Sequence, residues 1–243
     1  IMSTLVKHPH QGPSFKAIVF DLDGTLLNTL EDIADSMNRV LRDIGRPTHP
    51  VERYRRFVGS GVFKLAERCL PAQDRHERCI RDCAQQFKDI YSRNWKVKTD
   101  LYPGIAELFE RLGSLDLQMG ILSNKPHAFT LESVAYFLRG WNFAKIMGQE
   151  EHRPPKPDPA GPQEMGREIG CALSEILYVG DSDVDMHTAV RSGMYPVGVL
   201  WGFRDAPELL AAGAKSLAAH PLELLDLLDS GTHRHTESHR FET

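Results

Sequence analysis

Two aspartates one residue apart, Asp21 and Asp23, close a short apolar run and are followed at once by Gly24 and Thr25 in AIVFDLDGTLLNT (17–29). Ala17, Ile18, Val19 and Phe20 read as a buried parallel strand, being short, continuous and apolar. Side chains at i and i+2 share a strand face, so both carboxylates point the same way from its carboxyl end. Two carboxylates that close repel and shift each other's pKa. A fold that keeps them needs a cation or a proton to offset the repulsion. Three further polar clusters follow apolar runs. Ser123-Asn124-Lys125 ends the run that starts at 118, and Gly180-Asp181-Ser182-Asp183-Val184-Asp185 ends the run from 176. The proline-rich loop RPPKPDP, with Lys156 at its centre, follows the run at 144–148.

Asp21, Asp23 and Asp181, with Asp185 behind them, suit a hard divalent cation; magnesium prefers oxygen ligands and keeps several waters. A lysine, a hydroxyl and an amide (Lys156, Ser123, Asn124) suit the oxygens of a phosphoryl group. An aspartate can act as a nucleophile and form an aspartyl-phosphate. A second carboxylate two residues on can protonate the leaving group and then activate water. Together these describe metal-assisted phosphoryl transfer. Each cluster alone has a structural explanation: an Asx turn, a helix N-cap before Pro126, a solvated lysine, or acids favoured at a helix N-terminus. All four, in order and at strand ends, are not explained that way.

The elements that must position these groups alternate. From 101 onward the patterns read helix 103–115, strand 118–124, helix 126–138, strand 144–148, helix 161–170, strand 176–181, helix 185–193 and strand 195–201. Such alternation implies an α/β fold with a parallel sheet and helices on both faces. In open sheets of this kind ligands bind at the carboxyl ends of the strands. Residues 30–98 instead read as helical, with Ile33, Met37, Val40, Leu41 and Ile44 at helical spacing, breaks at Pro47 and Pro50, and further helical runs at about 61–70 and 74–94. The first strand precedes this stretch and the others follow it. We therefore expect a discontinuous catalytic core, 1–29 and 99–243, carrying an inserted helical domain, 30–98, with hinges near 28–31 and 98–103.

Composition is that of a soluble globular chain: 243 residues, 41% hydrophobic and 26% charged. No stretch approaches 18 uncharged apolar residues, so no membrane span is expected, and the first residues lack the apolar core of a secretory signal. Cys69, Cys79, Cys83 and Cys171 form no CxxC pair, which suggests reduced thiols in the cytoplasm. The net charge of -4 is uneven. Residues 30–98 carry 15 Lys and Arg against 10 Asp and Glu, and the remainder 14 against 23. A basic segment in an acidic protein could steer anions. The tail from 230 is polar, and its three histidines read as a terminus, not a metal site.

At the clusters named above the chain resembles the haloacid dehalogenase superfamily. DLDGT (21–25), SNK (123–125), Lys156 and GDSDVD (180–185) match its four motifs, and the resemblance runs from Lys16 to about Leu228. It is most similar to the phosphoglycolate phosphatase branch. FVGSGVFKLAERCL (57–70) resembles that branch's cap loop, and SNKPHAFT (123–130), GDSDVDMHTAVRSG (180–193) and WGF (201–203) resemble its core signatures. The resemblance implies a Rossmann-like core with a helical cap. It implies Asp21 as nucleophile and magnesium ligand, and Asp23 as general acid/base lending its backbone carbonyl to the metal. Asp181 would be a further metal ligand, with Asp185 behind, orienting Lys156 or a metal-bound water. Ser123, Asn124 and Lys156 would hold phosphoryl oxygens, with Thr25 beside them orienting Asp23.

The cap loop (Arg56, Gly59, Ser60, Gly61, Lys64) would lie over the site, where its basic residues would favour a small substrate with a second anionic group. Dehalogenases and phosphonatases of the superfamily lack an aspartate at the position of Asp23, so the cap lysine Lys64 is not expected to form a Schiff base. A magnesium-dependent phosphatase acting on a small phosphomonoester such as 2-phosphoglycolate is the leading expectation. A β-phosphoglucomutase-like phosphomutase and a phosphate-binding protein without catalysis are the alternatives. The implied partner is a small anionic phosphorylated metabolite, with no nucleic acid or membrane, for a cytoplasmic monomer or homodimer.

Overall fold

A computed structural model describes residues 14–232; the N-terminal stretch and the tail histidines lie outside the described residues. The chain begins with β1 (Ala17–Phe20) and a two-residue strand β2 (Leu27–Asn28), then enters the helical segment: α1 (Leu30–Asp43), α2 (Tyr54–Phe57), α3 (Val62–Cys69) and α4 (Glu77–Asn94). It returns through β3 (Asp100–Leu101), then α5 (Ile105–Leu112), β4 (Gln118–Pro126), α6 (His127–Phe137) and β5 (Lys145–Gln149). The remainder is α7 (Ala160–Ile169), β6 (Ile176–Gly180), α8 (Asp183–Ser192), β7 (Tyr195–Val199), α9 (Ala206–Ala211), β8 (Ser216–Ala218) and α10 (Glu223–Thr232).

Six strands form one parallel sheet in the order β5-β4-β1-β6-β7-β8. β1 lies at its centre, and its four residues are fully buried because both faces are covered. Strand alternation splits them. Ile18 and Phe20 join Ile121, Leu177 and Val179 against α5 and α10. Ala17 and Val19 join Leu122 and Tyr178 against Met165 of α7 and Ala189 of α8. The strand order reverses direction about β1, so the carboxyl ends of β1, β4 and β6 meet at a topological switch point. That is where the sequence places its polar clusters.

The helical segment packs around a separate cluster. Ile33, Met37, Val40 and Leu41 of α1, at helical spacing, meet Leu65, Ala66 and Cys69 of α3 and Cys83, Ala84, Phe87 and Tyr91 of α4. Its entry and exit lie side by side, since β2 and β3 pair antiparallel through Leu27–Leu101 and Asn28–Asp100. Asp32, buried in the first turn of α1, ties the exit down. Its carboxylate accepts the N–H groups of Val97, Lys98 and Thr99 and the Thr99 hydroxyl, all at 2.8–3.0 Å. Among the described residues, no helix is long and apolar enough to cross a membrane.

Candidate active site

The turn after β1 is built on Leu22, whose carbonyl accepts the N–H groups of Thr25, Leu26 and Leu27. Gly24 holds φ +89°, in the left-handed region. A Cβ there would lie 2.4 Å from Asp181 Oδ2, so only glycine lets this turn approach the end of β6. The result brings Asp21 to Asp181 and Asp185: one carboxylate oxygen from each lies within 4.8 Å of the others, and all three residues are buried. Asp181 is held at both oxygens, accepting the Thr25 hydroxyl (3.2 Å) and the Phe203 N–H (2.8 Å). The Thr25 hydroxyl therefore goes to Asp181 and not to Asp23, against the sequence-based expectation. Asp185 is fixed by a reciprocal cap at the start of α8: its Oδ2 accepts the Ser182 N–H (3.1 Å) and hydroxyl (2.6 Å), and its own N–H reaches Ser182 Oγ.

Lys156 is buried among these groups. Its ammonium donates to Asp185 Oδ1 (2.7 Å), Leu122 O (3.1 Å) and the Tyr178 hydroxyl (3.1 Å). These exhaust its three hydrogens. It also lies 3.0 Å from Asp21 Oδ1, close enough for charge attraction. That oxygen nevertheless receives no hydrogen bond among the described residues. Asp21 thus presents a buried, unpartnered acceptor beside a fixed positive charge.

The electrostatics follow from crowding. Burial pushes the Asp21 carboxyl up to about 6; Lys156 opposes the rise, while Asp185 and Asp23 add to it. Burial, then Asp185 and Asp21, carry Asp181 well above the usual carboxylate range. Burial alone would lower Lys156, yet Asp185 and Asp21 hold it well above its ordinary value. Three carboxylates against one ammonium leave the cluster electron-rich. The donor set is all oxygen, and Asp21 Oδ1 has a free lone pair. The residues therefore fit a hard divalent cation, held by Asp21 and Asp181 with Asp185 behind, engaged with Lys156 and Ser182.

A cavity of about 50 Å³ opens above Asp21 and Asp23. The strand ends supply Ser123, Asn124 and Lys125; the helical segment closes it with Val58, Gly59, Gly61 and Leu65. Asn124 lines this space, but its side chain is committed elsewhere. Its amide donates to Gly59 O and Lys156 O (3.1 Å each), and its Oδ1 accepts the Lys156 N–H (2.8 Å). It clamps the lysine loop to the glycine loop, where the sequence suggested a phosphate contact. Arg56 does not enter the cavity. It turns outward to Glu208 of α9, and Lys64 pairs with Glu67 on the surface. Neither supplies the cap-loop cation expected from the sequence.

Lys125 and Tyr91 line the cavity and were missed as site residues. Strand alternation carried the signal for the first: Ser123 and Lys125 share a face of β4. Tyr91 sits in the apolar stripe of α4, which reads as core.

Residues 18–199 match the haloacid dehalogenase-like hydrolases. The chain is 32% identical over 191 residues to a phosphoglycolate phosphatase of Pseudomonas syringae pv. tomato, covering 77% of this chain and 70% of the relative. It is 35% identical over 194 residues to one of Mesorhizobium japonicum, covering 77% and 84%. The solved structure of a predicted phosphoglycolate phosphatase from Haemophilus somnus superposes with TM-score 0.79 at 26% identity, covering 88% of this chain and 97% of that one. With the match extending over most of the chain and the sheet, turn and charged cluster assembled as described, the protein belongs to the haloacid dehalogenase-like hydrolase family.

Proposed function

We propose that this chain is a magnesium-dependent phosphatase of small phosphomonoesters, with 2-phosphoglycolate as the leading candidate, working through an aspartyl-phosphate on Asp21. The observation that carries the reading is that Asp21 and Asp23 line one cavity, with Asp21 clustered with Asp181 and Asp185 and 3.0 Å from Lys156 Nζ. An aspartate carboxylate that lines the cavity is placed to attack phosphorus there. The O–P bond forms at Asp21 as the bond to the leaving-group oxygen breaks. Asp23, which lines the same cavity, gives that oxygen a proton. Asp23 then takes a proton from water, whose oxygen attacks the aspartyl-phosphate, releasing phosphate and regenerating Asp21.

Lys156 is locked by three acceptors, so its charge stands ready beside the phosphoryl oxygens without reorganising. The Ser123 hydroxyl accepts the Lys125 N–H at 3.3 Å and keeps its own proton for a phosphoryl oxygen. Magnesium held by Asp21, Asp181 and the Asp23 carbonyl would supply positive charge against the carboxylates and the transferring group. The segment 30–98 is then a cap, with Gly59 and Gly61 closing the cavity over the substrate and Asp32 fixing the hinge. The cap's own core cluster and the paired strands β2 and β3 support this division. The family relationship supports phosphate-ester hydrolysis more strongly than any single substrate.

The test is phosphate release from a panel of small phosphomonoesters with magnesium, including 2-phosphoglycolate, β-glucose 1-phosphate and pyrophosphate. We expect one substrate to exceed a kcat/KM of about 10⁴ M⁻¹s⁻¹. Absence of magnesium-dependent release from every phosphomonoester would overturn the proposal.

A further inference from the structure

With Arg56 and Lys64 turned away, the cavity has little with which to recognise the rest of the substrate. Among the described residues lining it, Lys125 carries the only cationic side chain. Much of the remaining wall is apolar, including Ile33, Leu65, Phe87 and Phe129. A second charge on the substrate placed against that wall would lose water and gain no partner.

Lys125 is buried and held from two sides. Its Nζ lies 3.0 and 3.3 Å from the two Asp23 oxygens and 2.8 Å from the Tyr91 hydroxyl. It also sits 4.7 Å from the centre of the Tyr91 ring. That ring is itself fixed, stacked on Phe87 at 5.2 Å and edge-on to Phe129 at 5.4 Å. An ammonium has three hydrogens. The neighbouring Asp23 oxygens can share one and the Tyr91 hydroxyl takes another, leaving one for a group in the cavity.

We propose that Lys125 is the specificity-determining residue of this site, reading a single carboxylate on the leaving-group side of the phosphomonoester. Tyr91, reaching in from the helical segment, is a positioning residue that aims it. The proposal rests on the phosphatase reading above and narrows its substrate class.

The test compares 2-phosphoglycolate with 2-hydroxyethyl phosphate, which has CH₂OH in place of the carboxylate. The wild-type protein should prefer the carboxylate. Lys125→Met should cut the ratio of the two kcat/KM values by about tenfold or more, as expected when a charged contact is removed from a pocket. Lys125→Arg should restore much of it. Tyr91→Phe keeps the ring but not the hydroxyl; it should raise KM for 2-phosphoglycolate and leave that for 2-hydroxyethyl phosphate nearly unchanged. If both substrates slow equally in all three variants, Lys125 serves Asp23 alone and the proposal falls.

Calorimetric binding of both esters to Asp21→Asn with magnesium, with and without Lys125→Met, reads the same preference without turnover. A Lys125-dependent preference in binding, with a wild-type protein that releases phosphate from no phosphomonoester of the panel, would sink the phosphatase reading and keep the carboxylate-reading role of Lys125. Hydrolysis with a ratio indifferent to Lys125 would do the reverse.

Discussion

Removing the cation should turn the carboxylate cluster into a pH-dependent liability, and Asp21 sets its size. In the metal-free fold its carboxyl is raised from the ordinary 3.8 to about 6, chiefly by burial. The folded protein therefore holds a proton there that the unfolded chain has already released, across the window between about pH 4 and 6. The sign follows from linkage: where the folded state binds more protons, stability falls as pH rises. At about 1.36 kcal/mol per pH unit, that window is worth up to about 3 kcal/mol. Asp181, raised in the same direction, adds to it.

Asp21→Asn removes the contribution of that group. In EDTA the variant should gain on the wild type as pH rises from about 4 to 6, by up to about 3 kcal/mol. Saturating magnesium should reverse the order near neutral pH, because the wild type then binds the cation and the variant binds it poorly. Urea unfolding followed by circular dichroism at several pH values, with EDTA or magnesium, measures all four curves. A gap in EDTA that does not change with pH would refute the assignment of this electrostatic load to Asp21.

Asp23→Asn should slow turnover by about 10²–10⁴-fold, the usual loss when acid/base catalysis is removed, with KM changing little; steady-state kinetics would expose a merely twofold effect as contrary. Asp32→Ala should destabilise the fold by about 2–4 kcal/mol, because three backbone N–H groups and the Thr99 hydroxyl lose their shared acceptor. Denaturant unfolding checks this, and a change below about 0.5 kcal/mol, ordinary for a surface site, would contradict it. EDTA should abolish activity, magnesium restore it and calcium restore it poorly, since calcium's larger and looser coordination disfavours an in-line geometry.

The chemistry-bearing strand ends were readable because each polar cluster is contiguous with its own apolar run: Asp21 with 17–20, Ser123 with 118–122, Asp181 with 176–180. Element boundaries shifted by one to three residues: the helix expected at 126–138 runs His127–Phe137, the one expected at 103–115 runs Ile105–Leu112, and β4 extends through Lys125 to Pro126. The elements after β7 were not anticipated. β8 is only three residues long and α9 only six, too short for a periodic signal.

What could not be read was pairing across the chain. Arg56 meets Glu208, 152 positions away, and Thr25 meets Asp181, 156 positions away. A basic residue in a cap loop looks the same in sequence whether it faces substrate or a distant glutamate. Tyr91 illustrates the converse, since an apolar stripe conceals a hydroxyl that reaches the site.

The central claim is that Asp21 takes the phosphoryl group. Rapid acid quench during turnover with magnesium, followed by peptide mass mapping, tests it directly. The account predicts a phosphoryl adduct on the peptide carrying Asp21, located at Asp21, that disappears as substrate is exhausted and never forms in Asp21→Asn. Undiminished turnover in Asp21→Asn, or an adduct on any other residue, would contradict it.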